Sequence, residues 1–148
     1  MQLIIELPGI KAVTRNETSG HYFKYRRQFI QAEKWIRTFG KQYTEKFDKP
    51  VDVCIIAYYD TRGRKKITDA PNIDDKIFTD ILIRWKKMKG APAVEKQVWF
   101  IEDDAPKYLR YVTKRSIASD HYKIVIIIKD VVEDDDMLHI DKVTVKAS

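Results

Sequence analysis

The chain has 148 residues, 44% of them hydrophobic, and a formal net charge of +6. That length suits one domain with a sizeable core, and that apolar fraction argues against disorder. The single cysteine, Cys54, excludes an internal disulfide and a Cys-rich zinc site, and it suits a reducing cytoplasm. No apolar stretch approaches the roughly 20 residues that span a bilayer. The first seven residues have neither the basic start nor the apolar length of a signal peptide.

Charge is distributed unevenly. Residues 130–148 carry six acids against two lysines, so this tail holds −4 and the remaining body +10. A body that basic points to an anionic partner, with nucleic acid the leading candidate and a solvated basic surface the plain alternative. The expected organisation is one domain over residues 1–130 followed by an acidic tail over 131–148.

In chain order, residues 2–7 read as a strand that Pro8-Gly9 stops. A polar segment follows, and residues 22–43 then read as an amphipathic helix. Its apolar positions are Tyr22, Phe29, Ile30, Ala32, Ile36 and Phe39, its polar face is basic, and Gly40 marks an end or a break. Residues 51–59 are β-branched and aromatic and read as a buried strand. A basic loop with Arg62, Arg64, Lys65 and Lys66 leads to a second helix starting near Asn72. Asn72 is a good N-cap, with Asp75 in the capping-box position, and Ile73, Ile77, Ile81, Leu82, Trp85 and Met88 form the buried stripe. Gly90 to Pro92 ends that helix. Short strands are expected at 98–101, 107–114 and 122–129, and a last one at 138–145. This order describes an α+β domain, a mixed β-sheet with two main helices packed on one face.

Two acidic clusters flank the second helix. The first runs from Asp69 through Asp74 and Asp75 to Lys76, and the second is Glu102-Asp103-Asp104. The connecting helix can return the chain across the sheet and bring both to one sheet end. Carboxylates converging within a basic surface repel one another unless a cation lies between them. A magnesium-dependent nuclease uses that combination: metal on the acids, basic surface on the phosphate backbone. The plain alternative is that acids near a helix start complement its dipole, and that Asp-Asp after a strand forms only a turn. Trp35, Trp85 and Trp99 read as core or dimer contacts. His21, His121 and His139 lack metal-ligand spacing.

The segment Asn72-Ile-Asp74-Asp75, the helix Lys76-Ile-Phe-Thr-Asp80-Ile-Leu82 and the block Phe100-Ile-Glu-Asp103-Asp104-Ala-Pro follow one another in a recognisable order. With the Leu7-Pro-Gly opening, Arg15-Asn16 and the closing Lys114…Tyr122-Lys-Ile-Val-Ile, the chain resembles the RusA family of Holliday-junction resolvases over roughly residues 2–129. The resemblance implies a Mg²⁺-dependent (or Mn²⁺-dependent) endonuclease that resolves four-way DNA junctions in recombination and repair, working as a symmetric homodimer. It implies metal ligation by Asp74 and Asp104, with Asn72 and Asp75 at neighbouring signature positions, and assistance from Lys76. Arg15 and Lys76, with Arg62, Arg64, Lys65 and Lys66 just before the acidic site, are candidates for DNA phosphate contacts, a solvated basic loop being the plain alternative for the last four. Two departures stand out. Asn72 replaces an expected aspartate, and Lys76 stands two residues earlier than a gap-free register allows, where Phe78 would take its place. A branched-DNA-binding protein of this fold with weak or lost cleavage is the alternative.

Overall fold

The computed structural model describes residues 1–42, 46–64, 69–83 and 99–131. Four strands form one mixed sheet: β1 (Gln2–Pro8), β2 (Val51–Asp60), β3 (Leu109–Ser119) and β4 (Lys123–Asp130). Their spatial order is β1-β4-β2-β3, with β4 antiparallel to both neighbours and β2 parallel to β3. The helices are α1 (Arg15–Thr18), α2 (Tyr22–Gln42) and α3 (Lys76–Leu82).

Alternation along the strands builds the core. Leu3, Ile128 and Val53 lie opposite one another, as do Ile5, Ile126 and Ile55, and Leu7, Ile124 and Ala57. All nine are buried. Ala32 and Ile36 of α2 and Ile77, Phe78, Ile81 and Leu82 of α3 join the same cluster, so both helices pack on this face. The rows change character on the edge strand, where the residue opposite Ile55 is Lys114. An apolar row thus ends in a cation, which matters for the site below.

The buried seam of α2 is Gln28, Ala32, Ile36 and Gly40, one residue per turn. This corrects the expected stripe: Tyr22 and Ile30 are exposed, and Gly40 lies inside the helix. Gln28 explains the rotation. Its side chain accepts from the Val13 N–H at 3.0 Å and donates to the Lys11 carbonyl at 2.7 Å, so a polar residue satisfies two backbone groups inside.

The second helix also differs from expectation. A 3₁₀ turn covers Ala70–Asn72, and α3 begins only at Lys76. Asp75 occupies the N-cap but makes no side-chain cap hydrogen bond, so the Asn72–Asp75 capping box does not form. Two cations hold the Asp75 carboxylate instead. At the other end Ile83 is extended and forms an isolated bridge with Ile101, while Phe100 and Ile101 donate to the Leu82 carbonyl. The described part of the expected strand 98–101 is therefore one bridge, not a member of the sheet. Trp85, Met88, residues 90–98 and the expected strand 138–145 lie outside the described residues.

Candidate functional site

The acidic loop is placed by backbone pairing. Thr14 and Ile73 bridge in antiparallel fashion, and the Asp74 N–H donates to the Val13 carbonyl at 3.1 Å. The chain leaving β1 and the chain entering α3 are thereby laid side by side. Thr14 then starts α1 with a capping box, its hydroxyl accepting from the Glu17 N–H at 3.0 Å and the Glu17 carboxylate accepting from the Thr14 N–H at 3.4 Å. That single helical turn aims Arg15 and Thr18 at the two aspartates.

The contacts are specific. The Thr18 hydroxyl donates to Asp74 Oδ2 at 2.6 Å, and Asp74 is only 8% exposed. Arg15 Nη2 and Lys114 Nζ both donate to Asp75 Oδ1, at 2.8 and 3.1 Å. Lys114 also donates to the Ile73 carbonyl at 3.3 Å, which ties the edge strand to the loop backbone. Because Lys114 lies opposite Ile55, midway along the edge strand β3, its partner Asp75 stands beside the middle of that strand and not at a strand end. On α3, Asp80 Oδ2 accepts from the Tyr25 hydroxyl at 3.0 Å.

The electrostatics of these acids differ. Burial opposes the charge on Asp75, but the Arg15 guanidinium and the Lys114 ammonium outweigh it and hold its pKa below the usual carboxylate value. Asp80 moves the other way. Burial raises its pKa, and repulsion from Asp104 and Asp74 adds to this, against the Tyr25 hydrogen bond and the nearby Lys76. Burial and the Asp80 contact together push the Tyr25 phenol well above its ordinary value. Asp80 therefore lies within electrostatic range of one residue from each acidic cluster.

Other candidates are placed differently. Lys76 is exposed on the first turn of α3, and Asn72 is exposed in the 3₁₀ turn. Asp104 is exposed, and its N–H donates to the Asp103 carboxylate at 2.8 Å. Arg62 makes a two-pronged ion pair with Asp60 at the end of β2, with both N···O distances 3.0 Å. The Arg64 side chain, Lys65 and Lys66 lie outside the described residues.

Among the described residues no three His, Cys, Asp or Glu side chains converge as a ready metal cage. The donor chemistry is nonetheless that of a hard cation: Asp74, Asp80 and Asp104 offer carboxylate oxygens only. Magnesium commonly takes one or two carboxylates and completes its shell with water and substrate phosphate, so it does not require a closed protein cage.

No protein-family model matches the chain, and no curated protein matches it in sequence. Among the described residues no helix is long and apolar enough to cross a membrane.

Sequence reading passed over Thr18 and Tyr25, and it noted Asp80 and Lys114 only as parts of the resemblance. The signal for Thr18 was present: Thr14-Arg-Asn-Glu17 is a capping-box pattern, and the helix it starts carries Thr18 in its first turn. Tyr25 reads as another aromatic of α2. Only the packing of α2 beside α3 brings its hydroxyl to Asp80.

Proposed function

We infer that the chain is a divalent-metal-dependent endonuclease acting on branched DNA, in the manner of the RusA resolvases it resembles. The observation that supports this reading is the placement of Asp74, held by Thr18, and Asp80, held by Tyr25, beside Asp75 with its cations Arg15 and Lys114. Asp74 and Asp104 would hold Mg²⁺ or Mn²⁺, with Asp80 beside them and Asn72 offering a neutral carbonyl. Bound there, the metal supplies charge neutralisation and an activated water.

The chain's own residues do the rest. Thr18 fixes the Asp74 carboxylate through one hydrogen bond, and Tyr25 fixes that of Asp80. Asp75 is committed to Lys114 and Arg15, and it orients the Arg15 guanidinium, whose side chain is 61% exposed and keeps further N–H donors for a phosphate oxygen. Lys76, exposed one turn before Asp80, supplies a point charge to the same backbone. Resolving a junction requires cuts in two opposed strands, so a C2 homodimer with two such sites is the natural working form. The half-buried free thiol of Cys54 suits a reducing cytoplasm.

The second reading is a branched-DNA-binding protein that does not cut. Asn72 in place of an acid favours it, as does the engagement of Asp74, Asp75 and Asp80 by hydroxyls and cations. Cleavage of a labelled four-way junction with Mg²⁺, Mn²⁺ or EDTA, comparing wild type with Asp74→Asn, separates the two. Metal-dependent paired nicks that the variant lacks support the nuclease. Tight junction binding without cleavage under any metal supports the second reading.

A further inference from the structure

The acids and their cations leave the start of α2 without a role. Phe23 is 85% exposed and Tyr22 64%, the two largest values among the described large apolar side chains. Their rings meet edge to face with centroids 6.1 Å apart, so the pair forms one aromatic corner held in water. Lys24, Arg26 and Arg27 follow immediately, all exposed. Tyr22 also walls an open cleft of about 530 Å³, shared with Arg15, Thr18, Tyr25 and the turn between α1 and α2. Gly20 makes that turn at φ +71°, a conformation open to glycine at little cost.

The cleft and the acids are physically joined. Thr18 and Tyr25, two of its walls, are the residues that bond Asp74 at 2.6 Å and Asp80 at 3.0 Å. Arg15, a third wall, is paired to Asp75. The cleft therefore offers aromatic faces, a guanidinium and a flank of cations, one hydrogen bond away from two carboxylates. A planar ring joined to a phosphate matches that set, because bases stack on aromatic faces without regard to sequence and guanidinium takes phosphate oxygens. The volume is in the range of small-ligand clefts and exceeds the needs of a lone ion.

We propose that this cleft receives one unstacked nucleotide of branched DNA, with its base against Tyr22, which Phe23 buttresses edge to face from outside the cleft, and its phosphate at Arg15. The proposal rests on the nucleic-acid reading above and adds a source of structure selectivity. An intact duplex presents no free base face, and extracting one opposes base pairing and stacking. At a branch point that opposition is weakest. Preference for junctions over linear duplex then arises at the aromatic corner, apart from the acids that would perform cleavage.

The test is competition binding in EDTA to a fixed four-way junction in which each branch-point base is replaced in turn by an abasic residue. Wild type is compared with Tyr22→Ala/Phe23→Ala and with Tyr22→Trp. At one position, removing the base should weaken wild-type binding about tenfold, the scale of one base–aromatic stack. The double alanine variant should bind the intact junction about tenfold less well and show no further loss on the abasic junction, while Tyr22→Trp keeps the dependence. Equal abasic losses in wild type and variant, or none in either, overturn the proposal. Unchanged junction affinity in the double alanine variant also overturns it. Both side chains are exposed, so the variants should keep the wild-type fold, checked by circular dichroism. Metal-dependent cleavage by wild type without base dependence removes this inference alone. Base-dependent binding without cleavage removes the nuclease reading alone.

Discussion

Lys114 and Asp75 form an ion pair at 3.1 Å that joins the middle of the edge strand β3 to the residue just before α3. Both side chains are mostly buried, at 15% and 18% exposure, so solvent screens this pair less than a surface one. The two residues are 39 positions apart in the chain, so the contact links the start of α3 to a strand that follows it much later in sequence.

Lys114→Ala should destabilise the fold by about 1–3 kcal/mol, the range for losing a hydrogen bond to a charged group in a partly buried setting. Urea denaturation measures it, and a cycle with Asp75→Asn isolates the pair. If the two substitutions add without coupling, the pair contributes nothing to stability.

Asp75 sets an acid limb in stability. Its pKa is lower in the folded chain than the ordinary value of 3.8, so the unfolded chain binds the proton more readily. The stabilisation is complete above the unfolded value and is lost as pH falls through the folded one. Thermal melts between pH 7 and pH 2 should show a decline at the acid end that is shallower in Asp75→Asn. Parallel curves would remove Asp75 from the acid response.

Asp80 has the opposite sign. Its folded pKa is raised, so the charged form opposes folding at neutral pH, and protonation relieves this as pH falls through the folded value. Asp80→Asn should raise Tm at pH 7, by about 2–4 °C for each kcal/mol relieved in a domain of this size. The Asn carbonyl can still accept from Tyr25. The same variant should lose junction cleavage. A lower Tm would mean that the carboxylate is stabilised by more than its described partners.

Thr18→Val keeps the shape of the side chain and removes the donor to Asp74 Oδ2. It should cost about 1–3 kcal/mol through a poorly hydrogen-bonded carboxylate and slow metal-dependent cleavage, while Thr18→Ser retains both properties. Calorimetry and single-turnover cleavage read the two effects separately. Unchanged cleavage in Thr18→Val would show that Asp74 needs no orientation from this side.

β2 and β4 were legible because β-branched runs leave little choice, and they fall within a residue or two of where the pattern places them; β3 runs five residues past its expected end, and the expected strand at 98–101 gives only a bridge at Ile101. The extent of α2 was legible too, but its rotation was not. A polar Gln28 at the head of the buried seam follows from backbone groups of the β1–α1 connection, and periodicity cannot see those. The capping box at Asn72 misled because Asp75 has stronger partners far along the chain, Arg15 and Lys114. The acids themselves were visible as clusters. What binds each of them depends on contacts across 39 to 60 residues, which local spacing does not encode.

The Gln28 amide has a further consequence. Its carbonyl end meets a donor at Val13 and its amino end meets an acceptor at Lys11, so neither a flip of the amide nor a slide of the helix leaves both backbone groups satisfied. One turn earlier α2 offers Lys24, which can only donate; one turn later it offers Ala32, which can do neither. The helix is thus indexed along its own axis like a key with a single notch. Tyr25, one turn before that notch, reaches Asp80 only in that setting.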